Sequence, residues 1–233
     1  MASFKLPLEA NVMLKTYSFN NKYDHIYYFN YLIAEVLNFK DQFNICLNDL
    51  NEFDASLTTD SHVEVLRFEA LSRRKDGLLR FLCNLLGDET KGALSFKRYR
   101  KRLKKDCPKY GITLPDLPTS ISTQLNELNQ LRNWSLHYPE SLVISQKELL
   151  QHPIERIDVI LNVRYRFYDR EYLTKMIEEL NGLSEYFEDI FSQMITDYEL
   201  LIGQKVHISK IPLRTKEYAL MQQVAMSWEI QNS

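Results

Sequence analysis

Arg132, Asn133 and His137 bring together three side-chain types suited to work on a phosphodiester. An arginine keeps its charge and can pair two phosphate oxygens at once. A histidine titrates near neutrality and can act as general base or general acid. Asn133 stands one helical turn before His137, where an amide can fix the tautomer of an imidazole or share its ligand. Requiring the asparagine as well as the arginine and histidine makes a chance occurrence in a chain of this length about one in a hundred.

These residues fall near the end of a helix predicted to begin at Thr119 or Ser120 and to stop near Tyr138, because Pro139 disfavours helical geometry in the residue before it. Ile121, Leu125, Leu128 and Leu131 form the stripe expected to be buried, and Asn126, Gln130, Asn133 and His137 a polar stripe. Arg132 stands about 100° round the helix from Asn133, and Arg132 and His137 point ~140° apart. One straight helix therefore does not let both grip the same phosphate. Either the helix distorts ahead of Pro139, or a second copy of the motif completes the site across a twofold axis, which predicts a homodimer. The structural alternative pairs Arg132 with Glu127 or Glu140 and leaves His137 bonded to a helix-end carbonyl.

The rest of the chain predicts an all-α fold, a bundle of long antiparallel helices. Its 233 residues can bury a sizeable core, and only 6 Gly and 7 Pro leave little room for the turns of an all-β protein. Residues 1–20 read as an N-terminal arm, 21–205 as the helical domain and 206–233 as a C-terminal helical extension. From Asp24 to Phe53, Phe29, Ile33, Val36, Phe43, Leu47 and Leu50 recur at helical spacing with Lys40 as a polar gap, and Leu32, Phe39, Cys46 and Phe53 form a second stripe. Ser61 and Glu64 match a capping box for a second helix running to Leu86, with Gly87 as its stop and a kink or exposed turn at Arg73–Gly77. A third helix spans Ala93–Asp106, a loop Cys107–Pro118, and a short helix follows the Ser145/Glu148 capping box to about His152. Period-2 alternation suggests a small extended or hairpin segment at 154–168. Asp169 opens a long helix to Ile202, closed by Gly203. The 3-4 spacing of Leu173, Met176, Leu180, Leu183, Phe187, Ile190 and Met194 packs that helix along a partner, within the chain or across a dimer. A last helix is predicted at about Thr215–Glu229.

The formal net charge of −2 conceals an asymmetry. Lys97, Arg98, Arg100, Lys101, Arg102, Lys104 and Lys105 predict a basic surface that contacts nucleic-acid phosphates, and Glu178, Glu179, Glu185, Glu188, Asp189, Asp197 and Glu199 an acidic one. Cys46, Cys83 and Cys107 are odd in number and far apart, which indicates neither a disulfide framework nor a zinc site and fits a cytoplasmic setting. No cofactor, metal or membrane partner is expected: phosphate-binding glycine loops and metal motifs are missing, and no apolar run approaches the ~18 residues of a membrane span. Met1–Leu14 carries Glu9 and lacks an apolar run, so no signal peptide is expected. His25, His62, His152 and His207 are isolated, and each reads as a surface or hydrogen-bonded residue.

The Arg132-Asn133 pair followed by His137, on a helix of an all-helical chain, resembles the signature of the HEPN superfamily (higher eukaryotes and prokaryotes nucleotide-binding): arginine, a polar residue, then histidine. The resemblance covers the motif and the helical architecture from about residue 20 to 150 or beyond. It implies a metal-independent endoribonuclease with RNA as substrate, acting as a homodimer whose two Arg132/His137 sets converge between protomers. His137 would activate the ribose 2′-hydroxyl or protonate the leaving oxygen, Arg132 would stabilise charge on the scissile phosphate, and Asn133 would orient the histidine, giving a cyclic phosphate and a 5′-hydroxyl. The resemblance also implies a toxin or antiphage defence factor, with an antitoxin as a further partner. The alternatives are a non-catalytic HEPN-like RNA- or nucleotide-binding module and a helical interaction protein. In family toxins silenced by nucleotide transfer to tyrosine, that tyrosine lies two places beyond the histidine. Here Tyr138 follows His137 directly and Pro139 takes the next place, a departure from that form of control.

Overall fold

The first long helix starts where Asn21 accepts the backbone N–H groups of Tyr23 and Asp24 at 2.8 and 3.1 Å, while Asp24 accepts the N–H of Asn21 in return. This capping box opens α1, Lys22–Ser56, in a computed structural model that describes residues 16–57, 65–136, 170–213 and 221–228. The other helices are α2, Val65–Gly87, α3, Phe96–Asp106, α4, Thr119–Leu136, and α5, Arg170–Ile202. A 3-10 turn at Cys107–Tyr110 follows α3, and Gly203 ends α5 with a φ of 81°, a left-handed value that suits glycine. Ser61, Glu64, the short helix after Ser145 and the 154–168 segment lie outside the described residues.

The fold is all-α, with one short hairpin at its end. Helix α1 packs on α2 and α5, and α4 closes the ring by packing on both of them. Both apolar stripes expected on α1 are buried apart from the half-buried Phe39, and so is the α5 stripe apart from the half-buried Leu183. The partner of α5 is therefore α1, within the chain. Phe43 meets Phe187 edge to face at 5.2 Å, and Phe29 meets Tyr198 at 5.6 Å. Lys40 is buried by its stem, runs its ammonium to Glu188 of α5 and lies 5.2 Å from the Phe191 ring.

Two expectations need correction. The polar run Arg73–Gly77 makes no kink: α2 is continuous, with Arg73 paired to Glu69 and Arg74 to Asp49 of α1. Gly87 does end α2 as expected, and it also lies close against α4. A Cβ there would lie 2.8 Å from the backbone nitrogen of Asn129. Finally, the C-terminal extension is not helical where it is described. Val206–Leu213 and Met221–Trp228 form an antiparallel hairpin, β1 and β2, with Val206 opposite Trp228 and Leu213 opposite Met221. The Ala, Leu, Met and Gln content of 215–229 favours a helix locally, but pairing with the alternating β1 strand overrides so weak a preference.

The two glycines of α2, one inside the helix and one at its end, give a paired prediction. Gly87→Ala is expected to lower stability by about 1–3 kcal/mol, because backbone rather than a flexible side chain blocks the new methyl group. Gly77→Ala meets no atom within 4 Å and is expected to raise stability by about 0.5–1 kcal/mol. Urea denaturation midpoints of the two variants would then move in opposite directions; a stabilising Gly87→Ala would refute the close approach.

His25 also departs from expectation. It is fully buried, stacked 4.5 Å from Phe19, and neither ring nitrogen has a hydrogen-bond partner among the described residues; Asp106 Oδ2 lies 3.5 Å from Nε2. Burial pushes its pKa below 6.5 and outweighs the attraction of Asp106. A depressed histidine is neutral in the fold and takes up its proton more readily when unfolded. Stability is then present above pH ~6.5 and is lost as pH falls below it. His25→Phe is expected to flatten the stability profile between pH ~7 and ~5. A profile as steep as that of the parent protein would remove His25 as the cause.

Candidate functional site

Helix α4 is positioned by Ile121, Leu125 and Leu128, which are buried, whereas Leu131 is 37% exposed and lies at the edge of the stripe. Asn126, Gln130 and Asn133 are exposed in the expected row. Arg132 is held from three directions. Its Nε donates to Asn84 Oδ1 at 3.1 Å, its Nη1 to Asn133 Oδ1 at 3.0 Å, and its Nη2 pairs with Asp88 Oδ2 at 3.0 Å. Glu140, one expected partner, lies outside the described residues, and in place of the other, Glu127, stands an acid just past the end of α2. Its remaining oxygen accepts from the N–H and hydroxyl of Thr90, both at 2.8 Å, which makes Asp88 a rigid anchor. His137 lies outside the described residues, as do Tyr138 and Pro139.

Sequence reasoning missed Asn84 and Asp88. The signal was there: two polar residues one turn apart at the end of an apolar run, facing the same way as α4. Asn133 was expected to orient His137, yet its carbonyl oxygen faces the Arg132 guanidinium.

Helix α3 does not present one basic face; it sorts its cations into three directions. Arg100 points inward, is buried, and pairs with the fully buried Asp197 of α5 through Nε–Oδ2 at 2.6 Å. It is not part of a nucleic-acid surface, which corrects the expectation for that residue, and Asp197 leaves the acidic surface with it. Lys97, Lys101 and Lys104 form a row towards α4. Lys97 donates to Asn126 Oδ1 at 2.7 Å and pairs with Glu89; Lys101 also reaches Glu89, and Lys104 reaches Asp116. A small cavity of about 130 Å³ opens between these lysines, Ser122 and Leu125. Arg98 and Arg102 form a second row towards α1, and Lys105 is exposed. Lys97, Lys101 and Lys104 thus join the polar stripe of α4, whereas Arg98 and Arg102 do not.

The three cysteines are buried with free thiols, and burial pushes that of Cys83 up to about 12, so it is inert as a nucleophile. No cluster with the makings of a metal site occurs among the described residues. No helix among them is long and apolar enough to cross a membrane. Compared with known proteins, no family model, no curated protein and no solved structure matches the chain.

Proposed function

We propose that the protein is a metal-independent endoribonuclease that draws an RNA strand along the polar stripe of α4 to a site built from Arg132 and His137. The observation that carries this reading is the Lys97–Asn126 hydrogen bond at 2.7 Å. It sets the lysine row of α3 beside the start of the stripe, and Asn133 follows ~10 Å further along the helix at 1.5 Å per residue. Glu89 and Asp116 cap Lys101 and Lys104, but such exposed ion pairs contribute only about 0–1 kcal/mol, so a phosphate can displace the acids there at little cost. At the far end, Asn84 and Asp88 hold the guanidinium in one orientation, as a group that stabilises developing charge must be held. In this reading His137 transfers the proton, and a second protomer supplies the other half of the site. The resemblance implies a toxin or defence factor restrained by an antitoxin, and the scattered cysteines fit a cytoplasmic setting.

A second reading, a helical interaction protein without catalysis, is favoured by one feature. Tyr23, Tyr27 and Tyr31 lie one turn apart on α1 and are 79, 68 and 52% exposed.

The deciding experiment incubates single-stranded RNA with the protein in chelator, beside His137→Ala. Loss of general acid–base catalysis is expected to slow cleavage by ~10²–10⁴-fold. Equal cleavage by the two proteins overturns the enzyme reading, and cleavage abolished by chelator overturns its metal independence. In the same assay Lys97→Gln with Lys101→Gln is expected to flatten the salt dependence of RNA binding by about two phosphate contacts. An unchanged slope makes the row an ordinary surface.

A further inference from the structure

We propose a second site, for a nucleobase carrying a phosphate, between the chain leading into α1 and the outer row of α3. A cavity of about 360 Å³ opens there, within the ~300–1,000 Å³ common for small-molecule sites. Tyr17, Phe19, Tyr28 and Tyr99 line it together with Arg98 and Arg102. The rings hold one another: Tyr17 and Phe19 each lie within 5.2 Å of Tyr28, and Tyr28 stacks on Tyr99 at 4.9 Å. Tyr99 is buried and forms the floor, while Tyr17 is 40% exposed and Phe19 and Tyr28 are half-buried. Such a set of fixed rings suits a flat aromatic ligand, because a base stacks on an aromatic face whatever its sequence.

The arginines supply the other half. Arg98 and Arg102 are four residues apart on α3, so their side chains leave the helix one above the other, about 5–6 Å apart. Arg98 has no carboxylate partner among the described residues; its Nη1 donates to the carbonyl of Ala93 at 3.0 Å. Arg102 spends its Nε on Asp106 and sits 5.7 Å from the Phe19 ring centre. A guanidinium has five N–H donors, so both retain donors for an anion. Asp106, the acid that Arg102 meets, has its charge countered from two sides: burial alone would push its carboxyl up, but Lys109 and Arg102 draw it down to about 2. A lipid headgroup or an acidic peptide would use the arginines and leave the rings idle. A base with its phosphate uses both.

The residues lining the site include neither Arg132 and Asn133 nor Asn84 and Asp88, and it does not depend on the cleavage reading. The unit it recognises can arrive as a free nucleotide or as part of a strand, and titration calorimetry on the full chain separates the two. AMP is expected to bind, and adenosine and ribose 5-phosphate to bind at least about tenfold more weakly, since each lacks one half of the chemistry. Arg98→Gln is expected to weaken AMP by at least about tenfold while leaving adenosine within about twofold, and Tyr17→Ser to weaken both. Tyr17→Phe keeps the ring and is expected to bind like the parent protein, which guards against a loss caused by misfolding. A 5′-phosphorylated oligoadenylate, offered to His137→Ala so that it survives, identifies a strand site if it binds at least about tenfold more tightly than AMP, and a free-nucleotide site if the two are equal. No binding of either ligand overturns the proposal, as does AMP binding unchanged in both Arg98→Gln and Tyr17→Ser. Because AMP binding is expected to persist in Arg132→Ala, failure here leaves the cleavage reading untouched, and failure of cleavage leaves this site standing.

Discussion

Replacing Arg100 with methionine is expected to lower the stability of the fold by about 3–5 kcal/mol, the cost of leaving a buried charge without its partner. Arg100 reaches both oxygens of Asp197, at 2.6 and 3.3 Å, and a further bond from Nη2 holds the carbonyl of Pro115 at 2.8 Å. Asp197 is fully buried, and its only other contact of this kind among the described residues is a 2.8 Å bond from Gln193. Burial pushes the Asp197 carboxyl up from its ordinary value, and the guanidinium is the main force opposing it. Removing Arg100 takes that opposition away, so Asp197 is left to protonate or to bury an unpaired charge. Arg100→Met combined with Asp197→Leu is expected to recover most of the loss, since an apolar pair of similar volume often equals a buried ion pair. Urea denaturation of the two single variants and the double variant measures the coupling directly. A single Arg100→Met cost below about 1 kcal/mol, the range of exposed pairs, would show that the bond does not hold α3 to α5.

The second large effect is expected at Arg132. Arg132→Lys keeps the charge but offers one nitrogen where three acceptors wait: Asn84, Asp88 and Asn133. The enzyme reading expects cleavage to fall ~10²–10³-fold, the usual loss when a fixed donor to a developing charge is removed. Stability is expected to fall as well, by about 1–3 kcal/mol, because a largely buried Asp88 loses its bidentate-capable partner. The two effects are separable. A fall in kcat with KM little changed marks an interaction made in the transition state, whereas a purely structural arginine alters the denaturation midpoint and leaves the rate per folded molecule unchanged. The latter outcome would reduce Arg132 to a clasp between α2 and α4.

Much of the architecture was legible in the chain itself. The stripes of α1 and α5 are read from spacing because each helix buries one side against a neighbour, and burial repeats with the helical period. Gly203 was legible for a related reason, since a left-handed terminus selects glycine from local sterics alone. Gly87 was legible as the stop of α2, but its close approach to α4 was not. It meets the backbone of Asn129, about forty residues away in sequence, and no local pattern encodes such an approach. The hairpin at Val206–Leu213 and Met221–Trp228 was misread for the same kind of reason: strand pairing is a contact between segments, and the propensity of one segment alone pointed to a helix.

The chemistry divides along the same line. Arg132, Asn133 and an undivided basic run can be read along the chain, and Asn126, Gln130 and Asn133 fall on one face of α4, because helical periodicity fixes directions within one element. Only the tertiary structure decided which cations remain at the surface. A run that reads as uniformly basic is divided by its own helix into an inward arginine, a lysine row beside α4 and an arginine pair beside the aromatic cavity. Likewise, only the packing of α2 on α4 could supply Asp88 and Asn84 to Arg132. Charge along a chain is additive, but its availability depends on what each side chain meets across the bundle, and that is settled by contacts between helices distant in sequence.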